Sequence, residues 1–185
     1  MGKIRVIAEP LPGVKLIQPK VFEDARGYFF ESYNKMDFFE AGIDTDFVQD
    51  NEAKSVYGVI RGLHYQLPPY AQAKLIRVIR GKILDVALDI RKNSPTFGQY
   101  FIIELSEENK LQLFIDKGLA HGYAVLSDTA VVQYKTDEFY HPEAEAGIFH
   151  ADEKLAIDWS IPLDKRIISD KDKKLPRFDE AKYFD

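Results

Sequence analysis

The feature that most limits what this chain can become is its punctuation. Short runs rich in valine, isoleucine, leucine and aromatic residues follow one another closely. They are cut by turn-forming clusters such as Arg80-Gly81-Lys82, Lys92-Asn93-Ser94-Pro95 and Asp116-Lys117-Gly118. This pattern predicts strands over Val14–Gln18, Tyr28–Tyr33, Val59–Gln66, Leu75–Arg80, Ile83–Ile90, Tyr100–Leu105, Leu111–Ile115, Gly122–Leu126 and Ala130–Thr136. Strands this short and this closely spaced suit an all-β fold, an antiparallel sandwich or barrel. One early helix is expected over Lys35–Ala41, ended by Gly42. The charged stretch Asp164–Asp185 leaves two readings open, helical turns packed on the barrel or a loop over its mouth. No linker, low-complexity tract or repeat interrupts the chain, so residues 1–185 are expected to form one domain.

Period-two alternation then assigns faces. In Ala130–Thr136 one face carries Ala130, Val132, Tyr134 and Thr136, the other Val131, Gln133 and Lys135. The first face is the more apolar and should point inward, taking the Tyr134 hydroxyl with it. Lys74 shares a face with Ile76 and Val78, so it either snorkels to the rim or aims at a ligand. Gly62, His64 and Gln66 share one face, Arg61, Leu63 and Tyr65 the other. Arg61 and His64 can therefore reach one site only if the strand bends or Arg61 lies at its mouth. Gly62 permits a bend.

Composition narrows the chemistry. There is no cysteine, which removes disulfides, thiolate metal sites and thiol nucleophiles. A net charge of -5 argues against non-specific binding to nucleic acid or acidic membranes. No run approaches a transmembrane helix, and Met1–Pro10 lacks the apolar stretch of a signal peptide. A cytoplasmic protein with no membrane or nucleic-acid partner is expected. His64 and His121 sit in apolar, glycine-flanked strand contexts, as core histidines or as functional ones. His141 and His150 fall in polar segments and are expected at the surface. Metal-binding β-barrels commonly present His-x-His with a nearby glutamate. Here the stretch is His64-Tyr65-Gln66, with no glutamate before Arg80, so no metal is expected. No nucleophile elbow, G-x-G-x-x-G or P-loop is present. Acid–base chemistry on a bound substrate remains. Arg26, Arg61 and Lys74 suit phosphate oxygens, or ion pairs with some of the 30 acids.

Taken in order, several stretches resemble the dTDP-4-dehydrorhamnose 3,5-epimerase family along nearly the whole chain. They are Asp24-Ala25-Arg26-Gly27-Tyr28-Phe29, Phe47-Val48-Gln49-Asp50-Asn51, Gly58-Val59-Ile60-Arg61-Gly62-Leu63-His64-Tyr65-Gln66 and Lys74-Leu75-Ile76-Arg77-Val78. Further along come Asp89-Ile90-Arg91-Lys92-Asn93-Ser94-Pro95-Thr96-Phe97-Gly98, Ala120-His121-Gly122-Tyr123, Tyr140-His141-Pro142-Glu143-Ala144-Glu145-Ala146-Gly147-Ile148 and Ile168-Ser169-Asp170-Lys171-Asp172. The loop Pro68-Pro69-Tyr70 and Ala71 to Ala73 departs from the family pattern.

The resemblance implies a cupin-type jelly-roll barrel with a few short peripheral helices, no metal or other cofactor, and a homodimer. It implies a nucleotide-sugar substrate, a dTDP-4-keto-6-deoxyhexose inverted at C3 and C5, with a mono-epimerase acting at only one of these carbons as the alternative. His64 would be the general base, Tyr134 the general acid, Asp172 the partner of His64, and Lys74 the cation near the C4 oxygen. Asp170 is a rival for Asp172. Arg61, with Arg26 and Glu31 from the partner subunit, would hold the diphosphate. Gln49, Asn51, His121, Glu145 and Lys171 match other substrate contacts, and Phe29 an aromatic near the nucleotide. Ile4–Ile7 and Val14–Gln18 are strands that could pair across subunits. The residue types suit the reaction. A proton beside a ketone leaves only to give an enolate, which calls for a base near neutrality, a cation at the developing oxyanion and a protonated acid opposite. A metal-dependent isomerase or oxygenase and a non-catalytic sugar-nucleotide binding module are the other classes in play.

Overall fold

The computed structural model describes residues 3–185, so Met1 and Gly2 of the Met1–Pro10 segment lie outside it. Among the described residues thirteen strands are formed: β1 Ile4–Leu11, β2 Val14–Pro19, β3 Phe22–Asp24, β4 Gly27–Phe29, β5 Gln49–Val56, β6 Ile60–Gln66 and β7 Lys74–Arg80, then β8 Lys82–Asp89, β9 Tyr100–Ser106, β10 Gln112–Ile115, β11 Leu119–Val125, β12 Thr129–Thr136 and β13 Glu145–Gly147. One sheet runs in the order β1-β2-β10-β7-β12-β5, the other β13-β6-β11-β8-β9, and β3 and β4 form a separate hairpin. Neighbouring strands pair antiparallel throughout. This is the jelly-roll expected of the family.

Three apolar layers hold the sheets. Between them lie Ile76, Val78, Ile83, Ala87, Leu105, Leu113, Ala130 and Val132, with Tyr134 packed against this cluster. That confirms the inward face assigned to Ala130–Thr136. The outer face of the five-stranded sheet is covered by residues from the C-terminal third, including Ile148, Leu155, Ile157, Trp159 and Ile161. Trp159 is fully buried, and its Nε1 donates to the His150 carbonyl at 2.7 Å. The outer face of the six-stranded sheet is covered by Phe38 and Ile43, which meet Ile17, Leu75 and Phe114. Every residue of β11 is buried, because this strand is central and covered on both faces.

Phe38 belongs to helix α1, Lys35–Glu40. The Asn34 side chain caps it by accepting from the Met36 amide, and Gly42, at φ 75°, takes the left-handed turn that ends it. The Asp164–Asp185 segment forms helical turns rather than a lid. Its 3₁₀ turns are Leu163–Lys165, Asp172–Lys174 and Phe178–Glu180. Ile168, Phe178, Tyr183 and Phe184 pack against the outer layer.

One strand expectation needs correction. Tyr28–Tyr33 is not a barrel strand. Only Gly27–Phe29 is extended, in the β3–β4 hairpin, whose residues are all exposed. Tyr28 and Phe29 share a surface pocket with Arg77, Val78 and Ile79 of β7, and the Lys110 ammonium lies 4.2 Å from the Tyr28 ring centroid. Conversely, β5 escaped notice because its inner face, Asn51, Ala53 and Ser55, is small or polar and carries no hydrophobic alternation.

The bend expected at Gly62 is present. His64 pairs with His121, and Arg61 with Tyr123, so three steps on β6 match two on β11. One extra residue in β6 puts Arg61 and His64 on the same face despite their odd spacing. Gly62 has φ 116°, and a Cβ there would lie 2.6 Å from Gly122 Cα. Gly62→Ala is therefore expected to lower unfolding free energy by at least about 2 kcal/mol, read by urea denaturation.

Candidate active site

Two rungs of the six-stranded sheet form one wall of a cavity of about 300 Å³. Across β5, β12 and β7 the first rung is Gln49, Thr136 and Lys74, and the second is Asn51, Tyr134 and Ile76. Lys74 and Tyr134 are thus diagonal neighbours. The opposite wall comes from the other sheet. His64 and Gln66 project from β6, and Glu145 of β13 pairs with Gln66.

His64 is tied to the C-terminal segment. Its Nε2 lies 2.8 Å from Asp172 Oδ1, while Asp172 Oδ2 accepts from the Gly62 amide at 3.3 Å. Asp172 is buried, whereas the His64 side chain is 31% exposed and so open to the cavity. Burial works to raise the Asp172 carboxyl. The His64 contact, the Gly62 amide and the Ser169 hydroxyl outweigh it and hold the group below its ordinary value. Asp170 is no rival for this place. It is exposed and paired with Lys173.

Lys74 is buried, and its Nζ reaches the His64 carbonyl at 3.4 Å. Burial lowers its pKa from 10.5 to about 8, against the opposing charges of Asp85 and Glu145. Burial likewise raises the Tyr134 phenol above 10, with the Arg61 charge opposing, so Tyr134 is protonated at neutral pH.

Other expected residues divide between the cavity and elsewhere. Gln49 and Asn51 line it and are hydrogen-bonded to each other at 3.0 Å. Glu145 accepts from Lys171 and from the Tyr140 hydroxyl, and these two bonds outweigh burial to hold its carboxyl low. Arg61 donates to Ser55 Oγ at 3.1 Å. His121 is buried behind the cavity, 2.9 Å from Asp85. Arg26 and Phe29 stand exposed on the β3–β4 hairpin, with Arg26 paired to Asp24. Glu31 is bonded to Lys3 and Asn34. None of these three lines the cavity of its own chain.

Two histidine expectations fail. His150 is buried under the C-terminal third, which lowers its pKa, with Arg166 acting in the same direction. His141 is half-buried, its ring stacked on Tyr70 at 3.6 Å. That stack also shapes the divergent loop. The Gln66 and Gln72 amides donate to the carbonyls of Tyr70, Glu138 and Phe139, pinning the rim that carries Tyr140. Gln66, Gln72, Thr136 and Tyr140 line the cavity but were not singled out from sequence. Parity with His64 and Tyr134 signalled Gln66 and Thr136. Nothing local marked Gln72.

Among the described residues, no group of three His, Cys, Asp or Glu side chains is placed to hold a metal ion. No helix there is long and apolar enough to cross a membrane. An ionisable pair, a buried cation and a phenol around one cavity, set between two antiparallel sheets, make a β-barrel site equipped for acid–base chemistry.

Comparison with known proteins narrows this. The family profile described as dTDP-4-dehydrorhamnose 3,5-epimerase matches residues 8–180. The dTDP-4-dehydrorhamnose 3,5-epimerase of Shigella flexneri is 50% identical over 182 residues, covering 98% of this chain and 99% of that protein. The crystal structure of the Elizabethkingia anophelis dTDP-4-dehydrorhamnose 3,5-epimerase superposes with a TM-score of 0.92 at 49% identity, covering 96% of this chain and 98% of that one. A Legionella pneumophila dTDP-6-deoxy-D-glucose-3,5-epimerase, solved in complex with dTDP-4-keto-L-rhamnose, gives 0.91 at 44% identity, with 96% and 94% covered. The chain belongs to the dTDP-4-dehydrorhamnose 3,5-epimerase family.

The buried Lys74 ammonium carries a folding cost. A pKa depressed from 10.5 to about 8 corresponds to roughly 3 kcal/mol against folding at pH 7. The cost is full below pH 8, fades as pH rises towards 10.5, and vanishes where the lysine is neutral in folded and unfolded chains alike. Lys74→Met should therefore gain up to about 3 kcal/mol in urea unfolding at pH 7. The margin should shrink across that alkaline window, while epimerase activity falls by about 100-fold or more.

Proposed function

We propose that the chain inverts C3 and C5 of dTDP-4-dehydro-6-deoxy-D-glucose, giving dTDP-4-dehydro-L-rhamnose for dTDP-L-rhamnose synthesis. The observation that carries this reading is that His64 and Tyr134, on strands of facing sheets, line one cavity. A base and an acid on opposite sides of a carbon invert it, whereas one shared group returns the proton to the same face.

His64 takes the proton from the carbon beside the C4 ketone. Ionised Asp172 only accepts hydrogen bonds, so it holds the ring proton on Nε2 and leaves the other ring nitrogen basic. It also stabilises the imidazolium that forms. The electron pair of the broken C–H bond moves into the enolate, whose oxygen meets the Lys74 ammonium in a site drier than bulk water. Tyr134 then delivers its proton to the opposite face of the carbon and is reprotonated from solvent, as His64 returns its proton. C3 and C5 both flank the ketone, so the same groups serve both after the sugar turns.

Gln49, Asn51, Glu145 and Lys171 hold the sugar nucleotide in this reading, with Arg61 on the diphosphate and His121 behind the sugar. Residues 1–185 act as one domain in the cytoplasm, where a cysteine-free chain has no need of an oxidising compartment. The protein works as a homodimer in which Arg26, Phe29 and Glu31 complete the partner's site. Their placement outside their own chain's cavity supports that arrangement.

Proton NMR of the substrate with the protein in deuterium oxide tests the reaction. Deuterium should enter at C3 and C5 with wild type and at neither with His64→Ala. Tyr134→Phe should keep exchange but invert poorly. Exchange at one carbon only would make the protein a mono-epimerase, and no exchange would withdraw the mechanism. For the dimer, Arg26→Ala and His64→Ala proteins should each be impaired, and co-expressed mixed dimers should regain activity at one intact site. A monomer by sedimentation at micromolar concentration would end that part of the reading.

A further inference from the structure

The polar cluster behind the cavity holds a carboxylate that the mechanism above does not use. Asp85, on β8, is fully buried. Its Oδ1 lies 2.9 Å from His121 Nε2, and its Oδ2 has no hydrogen-bond partner among the described residues. The position looks into the layer between the sheets, flanked along the strand by Ile83 and Ala87, both core residues. A buried carboxylate with an idle oxygen costs stability there, and an apolar side chain would pack without that cost. A structural role alone therefore accounts poorly for its presence.

The surroundings give it another role. His121 stands opposite His64 across the β6–β11 pair, so whatever fixes the His121 ring also shapes the wall beside the base. Across the cavity Lys74 projects from the facing sheet, and Asp85 and Glu145 are the two acids whose charges act on it. Glu145 is already engaged by Lys171 and Tyr140. Among the described residues no lysine or arginine is ion-paired with Asp85, whose partner is His121. Other titratable groups near this inner surface include Arg61 and His64 of β6, His121 and Tyr123 of β11, Tyr134 of β12 and Glu145 of β13.

We propose that Asp85 is a positioning residue of the reaction, a buried counter-charge that anchors His121 and stabilises the Lys74 ammonium behind the cavity. The inference rests on the epimerase reading, with Lys74 at the oxyanion. Asp85 touches no reacting atom. It acts by keeping the lysine charged at the pH where the enzyme works, against the burial that drives the proton off.

Deuterium incorporation at C3 and C5 of dTDP-4-dehydro-6-deoxy-D-glucose, followed from pH 6 to 10, tests this in wild type, Asp85→Asn and Asp85→Glu. Asp85→Asn keeps size and removes charge. Its alkaline limb should move down by about one pH unit, with turnover at pH 7.5 reduced about threefold and at pH 9 about tenfold. Asp85→Glu keeps the charge and displaces it, so the limb should stay within about 0.3 units of wild type while KM rises through the disturbed His121. An unmoved limb in Asp85→Asn, or a limb in Asp85→Glu that moves as far as expected for Asp85→Asn, overturns the proposal. Loss of the folded state in both variants, seen by circular dichroism, assigns Asp85 to the scaffold and also overturns it. Absence of exchange in wild type would instead strike the epimerase reading itself, and is told apart by that control.

Discussion

The hydrogen bond between His64 and Asp172 joins residues 108 apart in sequence, and the rest of the structure is arranged around keeping it. One partner projects from a strand of the five-stranded sheet, the other from a short turn near the C-terminus. Neither position is fixed by its neighbours in the chain. The strand is held by β11 and β13. The turn is held because the C-terminal third lays Trp159, Ile161 and Phe178 over the outside of the same sheet. The apolar layer on the outer face thus sets the geometry of a polar pair that opens to the inner one.

That inner face is an unusual place for so much charge. His64, Lys74, Asp85, His121 and Glu145 occupy the space between sheets that would otherwise fill with aliphatic side chains. Each desolvated group there opposes folding, and three continuous apolar layers offset the opposition. The lowered pKa of Lys74 and the raised one of Tyr134 share burial as their leading cause. The same desolvation that weakens the fold leaves one group close to losing its proton and the other unwilling to part with its own.

Much of this was legible in the sequence because strands write their burial at period two. Parity alone put Tyr134 and Thr136 indoors with Val132, and Lys74 beside Ile76. Where the inner face is polar, the signal disappears, and β5 went unread for that reason. The choice between Asp170 and Asp172 was equally closed to local reasoning, since it turns on how a distant segment docks. The same docking buries His150, whose polar surroundings in sequence pointed outward. Arg61 was the intermediate case. Parity set it against His64, Gly62 hinted at a remedy, and only the extra residue in the β6 register settled it. The roles of the site residues came from family resemblance, not from pattern.

Trp159 is the only tryptophan in the chain, and it is sealed between the C-terminal third and the five-stranded sheet, with its indole nitrogen bonded to the His150 carbonyl. Its fluorescence therefore comes from a single, dry location that exists only while that docking persists. A red shift in emission reports water reaching the seam beneath the segment that carries Asp172. The protein thus has a built-in optical gauge for the packing that supports the His64–Asp172 pair.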